Sequence, residues 1–557
     1  MPGVTGRRRL GSLAAALALG AALYLPGLGR EILRHPLEAK YALAAREMVD
    51  GGPWLVARLF GQLYPDKPPL YFWATASVAR LRGGRLDETA ARLPAVAGAL
   101  ATLGLTWALG RALFGPGAGL PSAAILATSG LFFWYARQGH PDQFLTASVA
   151  LACLGLWRSF ATAGRARLAW VVLAYAGMAL GILSKGLLGL LLPALAGAVF
   201  LALTGPLRAV PRRLGLAPGI AVCLGLVLLW YGPAVARHGA GYLHETLVHQ
   251  HLERYARTWA HRGPWYYYGP EFTTGFLPWS LFVPGALWLA WRTRRTAPDG
   301  TAPAAAGAAP TAVLFPLAWF GAGLVFFSLS SGKRGAYLLP LYPAAALLVG
   351  WAWTRAAQGR LRTRWLGVPV AVLAGLAAGL AAAVLVVPRD LVPGHMVDTL
   401  VPAAWGWRIA LAGGLVAAAA AAWISWRAGC PRTTLATIVV GQGLCLLAVA
   451  HVRAPQYEAR YPARELAARI AAVVPAGTPV LSLLGDYDFL VAFYLARPIT
   501  PLPGPSEVLG ARRAGPQFAL VDDRDREVLD APGVAVLAEG RLGPKRIVLV
   551  HLGRSPT

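Results

Sequence analysis

Residues 168–204 read LAWVVLAYAGMALGILSKGLLGLLLPALAGAVFLALT, two apolar runs parted only by Ser184, Lys185 and Gly186. Each run is close to the ~20 residues that cross a hydrocarbon core as a helix. An amphipathic hairpin on a soluble domain would keep a polar face on each helix; almost no polar position is present here, so both helices must face lipid or one another. The pattern recurs in both directions, from residue 10 to about residue 452. With 56% apolar and 14% charged residues in 557, the chain carries more apolar surface than one soluble core buries, which excludes an ordinary cytosolic enzyme.

The fold expected is therefore mainly α: a polytopic membrane protein of about thirteen transmembrane helices. The first run, Leu10 to Leu28, follows Arg7, Arg8 and Arg9 and reads as an uncleaved helix with its N-terminus inside. The others fit at 93–111, 118–136, 142–158, 168–184, 187–204, 214–236, 275–291, 311–330, 338–354, 366–387, 405–426 and 433–452. On this layout arginines cluster in the inner loops, where Asp299 is the one acid. The apolar stretch Pro69 to Val78 is too short to cross, and counting it would invert every later loop. It is expected as an interfacial helix in a large outer loop, 30–91, behind a second surface helix marked by Leu37, Tyr41, Ala44, Ala45 and Met48 at helical spacing. A second outer loop, 237–274, holds His244, His249, His251 and His261 beside Trp265, Tyr266, Tyr267 and Tyr268. Residues 297–310 read as an inner linker.

Charge divides the chain at residue 455, with 40 Lys+Arg against 14 Asp+Glu before it and 12 against 11 after it. The excess follows the positive-inside bias and forms no single basic face, which argues against nucleic acid as a partner. The four cysteines show neither metal spacing nor a disulfide framework. Domain 1–455 is the membrane part. Residues 456–557 alternate an amphipathic segment with short β-like runs at 479–484, 518–521, 534–537 and 546–550, the pattern of a small α/β domain outside the membrane.

The basic residues are 47 arginines and five lysines. Lys40, Lys67, Lys185 and Lys333 all fall on the outer side of this layout, where the positive-inside bias gives no reason for a cation. Several ammonium groups converging on one outer cavity would hold an anionic lipid head group as point charges; snorkelling to the interface is the bland alternative. Their neighbours sharpen the point. Tyr64-Pro65-Asp66-Lys67-Pro68-Pro69-Leu70 sets a phenol, an acid and a lysine on a proline-fixed turn. Ser331-Gly332-Lys333-Arg334-Gly335-Ala336-Tyr337-Leu338-Leu339-Pro340 closes another hairpin on the same side. Asp142, in Gly139-His140-Pro141-Asp142, is an ionisable group at the edge of a span, either functional or a helix N-cap.

In order and spacing, these motifs resemble the bacterial aminoarabinose transferase and protein O-mannosyltransferase-like glycosyltransferases of the membrane-embedded GT-C type. The matching features are Tyr64–Leu70, the Lys-Gly at Lys185, Phe276-Leu277-Pro278-Trp279-Ser280, and Lys333 to Pro340, with His251 to Tyr255 and His261 to Tyr267 resembling the family's fourth outer loop. The resemblance implies transfer of a sugar from an undecaprenyl-phosphate carrier to an envelope acceptor (lipid A, another glycan or a protein hydroxyl) on the periplasmic face of the inner membrane, with the C-terminal domain periplasmic. It implies that Tyr64, Lys67, Arg254, Lys333 or Arg334, and Tyr337 hold the carrier phosphate, with Lys40, Asp66, Lys185, His251 and His261 elsewhere in the cavity. No cofactor is required by a monophosphate leaving group, although Asp66 and a loop histidine would offer a weak metal site. One departure matters: where the family carries an aspartate before its glutamate, this chain has Leu37. Glu38 then stands either as the base or as an interfacial partner of Lys40, and Asp142 is the other candidate base. A competing expectation is a polyprenyl-phosphate lipid-binding or transport protein that has lost that aspartate.

Overall fold

A computed structural model describes residues 2–34, 36–246, 263–295, 310–359, 364–388, 405–497, 499–512 and 517–553. The chain is a multi-pass helical membrane protein. Among the described residues eight helices are long and apolar enough to cross a membrane, or up to ten if each of two bent pairs, Gly119–Ala127 with Gly130–Ala136 and Tyr268–Gly275 with Trp279–Thr293, is one span. At the other expected crossings, Arg9–Tyr24 and Leu188–Thr204 are apolar but shorter, and Asp142–Phe160 carries Asp142 in its first turn and Arg158 in its last.

The elements that build one end of the bundle, the outer end on the layout expected from the arginines, are helices α1 (Pro2–Tyr24), α2 (Leu37–Val49), α3 (Leu70–Leu81), α4 (Glu88–Phe114), α5 (Asp142–Phe160) and α6 (Gly164–Lys185). Helices α2 and α3 match the two short helices expected in the 30–91 segment. Their apolar faces meet in a small core of Tyr41, Ala44, Met48, Tyr64, Tyr71, Phe72 and Ala76. Between them the hairpin β1 (Arg58–Leu59) and β2 (Gln62–Leu63) turns the chain back. Helices α5 and α6 form an antiparallel pair that glycine brings close: a Cβ on Gly177 would stand 2.8 Å from the backbone nitrogen of Ala152. This pairing sets the N-terminus of α5 beside the C-terminus of α6. Farther along lie α7 (Leu314–Leu329), α8 (Arg364–Val386), α9 (Trp405–Arg427) and α10 (Pro431–Arg460).

Beyond residue 460 the chain forms a five-stranded sheet in the order β4-β3-β5-β7-β6, with β3 (Val480–Ser482), β4 (Ile499–Pro501), β5 (Gln517–Asp522), β6 (Val534–Leu542) and β7 (Lys545–Leu552). Strands β4, β3 and β5 are parallel, and β7 joins β5 and β6 antiparallel. The strand that the β-like runs miss is β4, a three-residue edge strand ending at Pro501, where the ring can face outward without breaking the ladder. Helix α11 (Asp488–Leu495) covers part of the sheet and docks it on the outer end of the bundle. The phenol of Tyr494 donates to Glu88 at 2.9 Å and accepts from the Leu33 amide at 2.9 Å. Arg46 of α2 donates to the Phe493 carbonyl at 2.8 Å, and Arg464 pairs with Glu88 at 2.5 Å. One apolar cluster runs from Ala39, Ala42 and Leu43 of α2 to Leu490, Val491 and Phe493 of α11.

Asp488, the first residue of α11, is buried and accepts from the Ser482 hydroxyl. Burial pushes its pKa up to about 6 against the pull of that hydrogen bond and of Lys545. The protonated form is thus favoured in the fold, so its stabilising effect is complete below the unfolded value near 3.8 and is lost as pH rises through about 6. Wild type is expected to lose on the order of 2–3 kcal/mol of local stability between pH 4 and pH 7 relative to Asp488→Asn. Hydrogen-exchange protection of β3 and β5, corrected for intrinsic exchange, measures it; equal pH dependence in the two proteins would contradict the assignment.

Candidate active site

The outer end of the bundle is organised around a buried ion pair. Glu38, in the first turn of α2, is 1% exposed and Arg92 of α4 is 2% exposed. Arg92 Nε donates to Oε1 at 2.7 Å and Nη2 to Oε2 at 2.9 Å, the bidentate arrangement that guanidinium and carboxylate favour. The remaining carboxylate lone pairs accept from the Gly139 amide and the Arg34 amide, each at 2.6 Å. The other donors of Arg92 are taken by the carbonyls of Leu28, Glu31 and Ile32. Burial raises the Glu38 pKa, but the Arg92 charge, its hydrogen bonds and the two backbone amides together outweigh it and hold the carboxyl below the ordinary range. Glu38's partner is therefore Arg92 and not Lys40. A carboxylate with both oxygens engaged and a low pKa is a poor base; what it does is lock α2 to α4 and to the 137–142 loop.

Lys40, one turn face away, reaches Asp66 at 3.4 Å. Its ammonium lies over the ring of Tyr64 at 4.7 Å and over that of Phe489, from α11, at 5.3 Å. Phe489 in turn stacks on Phe60 at 5.8 Å between ring centres. Lys67 donates to the Asp66 carbonyl at 2.8 Å. These contacts gather Lys40, Tyr64, Asp66 and Lys67 into one cluster with an aromatic wall contributed by the C-terminal sheet unit.

A second cluster forms where α5 begins and α6 ends. Asp142 occupies the first turn of α5, where the helix dipole favours an anion, and Lys185 the last turn of α6, where it favours a cation. Gly186, at φ +83°, ends α6 in a backbone conformation that side-chain-bearing residues rarely adopt. Lys185 donates to Asp142, and its ammonium also lies over the Tyr337 ring at 5.3 Å. His140 Nδ1 is 4.0 Å from Asp142. Burial lowers the His140 pKa; Asp142 and Glu38 pull it up, Lys185 and Arg334 push it down, and the net is below the ordinary value. His140 is thus neutral at pH 7 beside a paired acid. Tyr41 of α2 touches the His140 ring edge-on at 5.6 Å and packs on Phe72, which also meets Tyr64. Through these rings the Asp142 cluster is continuous with the Lys40 cluster.

Lys333 is placed differently from the expectation. It is 4% exposed and its ammonium donates to the carbonyls of Phe327, Ser328 and Ser330 at 3.1, 2.6 and 2.6 Å, closing the C-terminal end of α7. An ammonium has three protons to donate, and here all three have carbonyl acceptors. Arg334, its neighbour, is half-buried and acts electrostatically on His140. Arg254, His251 and His261 lie outside the described residues. Among the described residues no group of three His, Cys, Asp or Glu side chains could hold a metal ion, and Asp66, the acid considered for one, has the Lys40 ammonium beside it.

Sequence reasoning did not single out Arg92 or Phe489, and it marked Tyr41 only as a residue of the surface helix. Arg92 carried a usable signal, because it stands at the outer end of an expected span, against the positive-inside bias, as the lysines do. Phe489 had none, since its contact with Lys40 spans more than 400 residues of chain.

The chain resembles GT-C glycosyltransferases of the aminoarabinose transferase type in fold and in sequence. Over 98% of its length, and 99% of the other chain, it superposes with a TM-score of 0.77 at 24% identity on the crystal structure of ArnT from Cupriavidus metallidurans bound to undecaprenyl phosphate. The archaeal oligosaccharyltransferase AglB from Archaeoglobus fulgidus, in complex with an inhibitory peptide and a dolichol-phosphate, aligns more loosely, with a TM-score of 0.51 at 13% identity over 92% of this chain and 69% of that one. Residues 66–231 match the family model for dolichyl-phosphate-mannose-protein mannosyltransferase. The undecaprenyl phosphate-alpha-4-amino-4-deoxy-L-arabinose arabinosyl transferase of Pseudomonas aeruginosa (strain LESB58) is 32% identical over 333 residues, 59% of this chain and 57% of the relative. Transferase 1 of the same description from Pseudomonas fluorescens is 32% identical over 362 residues, 63% of this chain and 62% of the relative. The alignments thus span somewhat more than half the length of the curated relatives they match.

Breaking the central pair from either side leaves a buried charge without its counter-charge. Glu38→Gln and Arg92→Met are each expected to cost ~3–5 kcal/mol, and the double variant less than their sum. Thermal unfolding of the detergent-solubilised chain checks this; additive losses would show that the two side chains do not act as a pair.

Proposed function

We propose that this chain is a glycosyltransferase of the inner membrane that moves a sugar from an undecaprenyl-phosphate carrier to a lipid A-type acceptor on the periplasmic face. The observation that carries the reading is that three separate outer segments bring Lys40 and Lys67, Lys185, and Arg334 around one layer of side chains that runs from Tyr64 through Tyr41 and His140 to Asp142. The descriptions of the aligned relatives point the same way. In this reading the N-terminus is cytoplasmic, and the C-terminal sheet, docked on α2, is periplasmic.

The chemistry follows from where charge develops. As the bond between sugar and carrier breaks, the leaving polyprenyl phosphate gains negative charge, and fixed cations and phenolic donors aimed at it stabilise the transition state more than the ground state. Lys185 and Arg334, with Tyr337, are assigned to that phosphate on one side, and Lys40 and Lys67, with Tyr64, on the other. Arg334 is preferred to Lys333, whose ammonium closes a helix end. Asp142 is assigned the acid that orients and deprotonates the acceptor group, because Glu38 is fully engaged. Salt-bridged Asp142 becomes a stronger base as Lys185 turns toward the carrier phosphate, so donor binding and acceptor activation are coupled. No step needs a metal: the cations neutralise a monophosphate leaving group. A hydroxyl of another glycan or of a protein remains chemically equivalent as acceptor, and product analysis separates the cases.

A second reading, a polyprenyl-phosphate-binding protein without transfer, is favoured by one observation, Leu37 at the position of the family aspartate with Glu38 tied to Arg92. Both readings predict carrier binding, and only the first predicts turnover.

Purified full chain is expected to transfer label from undecaprenyl-phosphate aminoarabinose to lipid A. Lys185→Met and Arg334→Gln are expected to lower kcat/KM by ~10²-fold or more, while Lys333→Met lowers thermal stability and leaves the donor KM near wild type. Carrier binding without transfer to lipid A, glycan or protein acceptors would favour the second reading. A donor KM more sensitive to Lys333→Met than to Arg334→Gln would reverse the assignment of the phosphate ligands.

A further inference from the structure

Behind the Glu38–Arg92 layer lies a second space that the reaction above does not use. A cavity of about 930 Å³ opens between the end of α1, the 137–142 loop and helices α8, α9 and α10. Its walls are apolar and include many small residues among larger ones: Ala374 and Ala377 of α8, Gly414 and Ala418 of α9, Gly441 and Ala448 of α10. Small side chains usually let membrane helices close on one another. Here they leave a void at the upper end of the ~300–1,000 Å³ typical of ligand sites, far more than a packed interior tolerates empty. In a bilayer such an alkyl-lined space takes up hydrocarbon chains.

The mouth of the cavity is charged. Arg30, Glu31, Arg137, His451 and Glu458 line it. Both acids have cation partners, Glu31 with Arg34 at 2.7 Å and Glu458 with Arg464, shared with Glu88, at 2.6 Å, and Arg30 and Arg137 line the opening beside them. Arg453 adds a further guanidinium nearby, over the Trp134 ring that Arg34 also covers. Arg137 holds the carbonyls of Leu23 and Tyr24 at the end of α1 through Nη1, at 3.2 and 2.9 Å. Its Nη2 and the Arg30 side chain converge over Gly27, where an added Cβ would stand 3.8 Å from Nη2 and 3.6 Å from Arg30 Cδ. Two guanidiniums over an alkyl-lined crevice are the complement of a phosphate attached to acyl chains. The crevice and the catalytic cluster share one short loop: Arg137 faces the cavity, Gly139 donates to Glu38, and His140 and Asp142 face the reaction side.

We propose that this crevice seats the acceptor, a phosphorylated and multiply acylated glycolipid, with its chains between α8, α9 and α10 and a phosphate on Arg30 and Arg137. The proposal rests on the lipid acceptor of the preceding reading and adds where that lipid lies and which residues select it.

The test is photolabelling of the full chain, in phosphatidylcholine nanodiscs, by lipid A carrying a photoreactive acyl chain. Arg137 also closes α1, so the variants are Arg30→Gln, which removes a cation at the mouth, and Gly414→Phe, which fills the crevice at a position with nothing within 4 Å of an added Cβ. Label is expected on the peptides of α8, α9 and α10, to be competed by phosphorylated lipid A and not by its dephosphorylated form, and to fall at least fivefold in both variants while undecaprenyl-phosphate binding is unchanged. Labelling elsewhere, labelling that survives both variants, or equal competition by phosphatidylglycerol would overturn the proposal, the last by making the crevice a phospholipid site. Because the readout is binding, the two claims fail separately: transfer without crevice labelling sinks this one, and crevice labelling without transfer sinks the transferase reading.

Discussion

A carboxylate and a guanidinium, both removed from water, hold the outer end of this bundle together. Glu38 and Arg92 are stable in that place because every polar atom of the pair is satisfied, by each other and by five backbone groups of the surrounding segments. The pair fixes α2 against α4, and the amide of Gly139 ties the 137–142 loop to both. That loop carries Arg137 at one end and Asp142 at the other, so the ion pair sets the position of the acid proposed to act on the acceptor and of the cation beside the neighbouring crevice. Removing either partner leaves the other buried and charged, so the layer is kept as a unit or lost as one.

Around this post the functional groups are arranged by helix ends. Asp142 opens α5, Lys185 closes α6 and Lys333 closes α7, each where the helix dipole and the unpaired backbone groups favour its charge. The first two meet because α5 and α6 run antiparallel at the close approach that glycine and alanine allow. Aromatic rings then fill the space between the cation clusters, and the C-terminal sheet adds Phe489 over Lys40. The sheet is therefore part of the site wall, which gives a physical reason for its extensive polar docking on α2 and on Glu88.

Much of this was legible in the amino-acid sequence. Apolar runs located the long helices because a bilayer demands length and leaves little room for polar residues. Of the positions that marked α2, Tyr41, Ala44, Ala45 and Met48 are buried, as the spacing required. Lys40 and Lys185 stood out as outer cations, and each lies beside an acid, Asp66 and Asp142. Lys333 stood out for the same reason, yet its partners are carbonyls at a helix end, a distinction that spacing alone does not carry. Arg92 and Arg137 bear the same signal as the lysines but are two among 47 arginines and vanish in that background. The contacts of Phe489, Tyr494 and Arg464 with the first hundred residues depend on long-range docking and leave no local trace.

The account turns on which acid acts. Glu38 is buried under four donors, which suits a positioning role, whereas Asp142 lies beside His140 and is paired with Lys185, and it is the acid that the proposal assigns to the acceptor. The most direct measurement compares sugar transfer by Glu38→Gln and Asp142→Asn, each normalised to folded protein that still binds undecaprenyl phosphate. The account predicts that Asp142→Asn loses transfer by ~10²–10⁴-fold, while folded Glu38→Gln, though scarcer, retains most of its turnover. Full turnover in Asp142→Asn with abolished turnover in folded Glu38→Gln would contradict it.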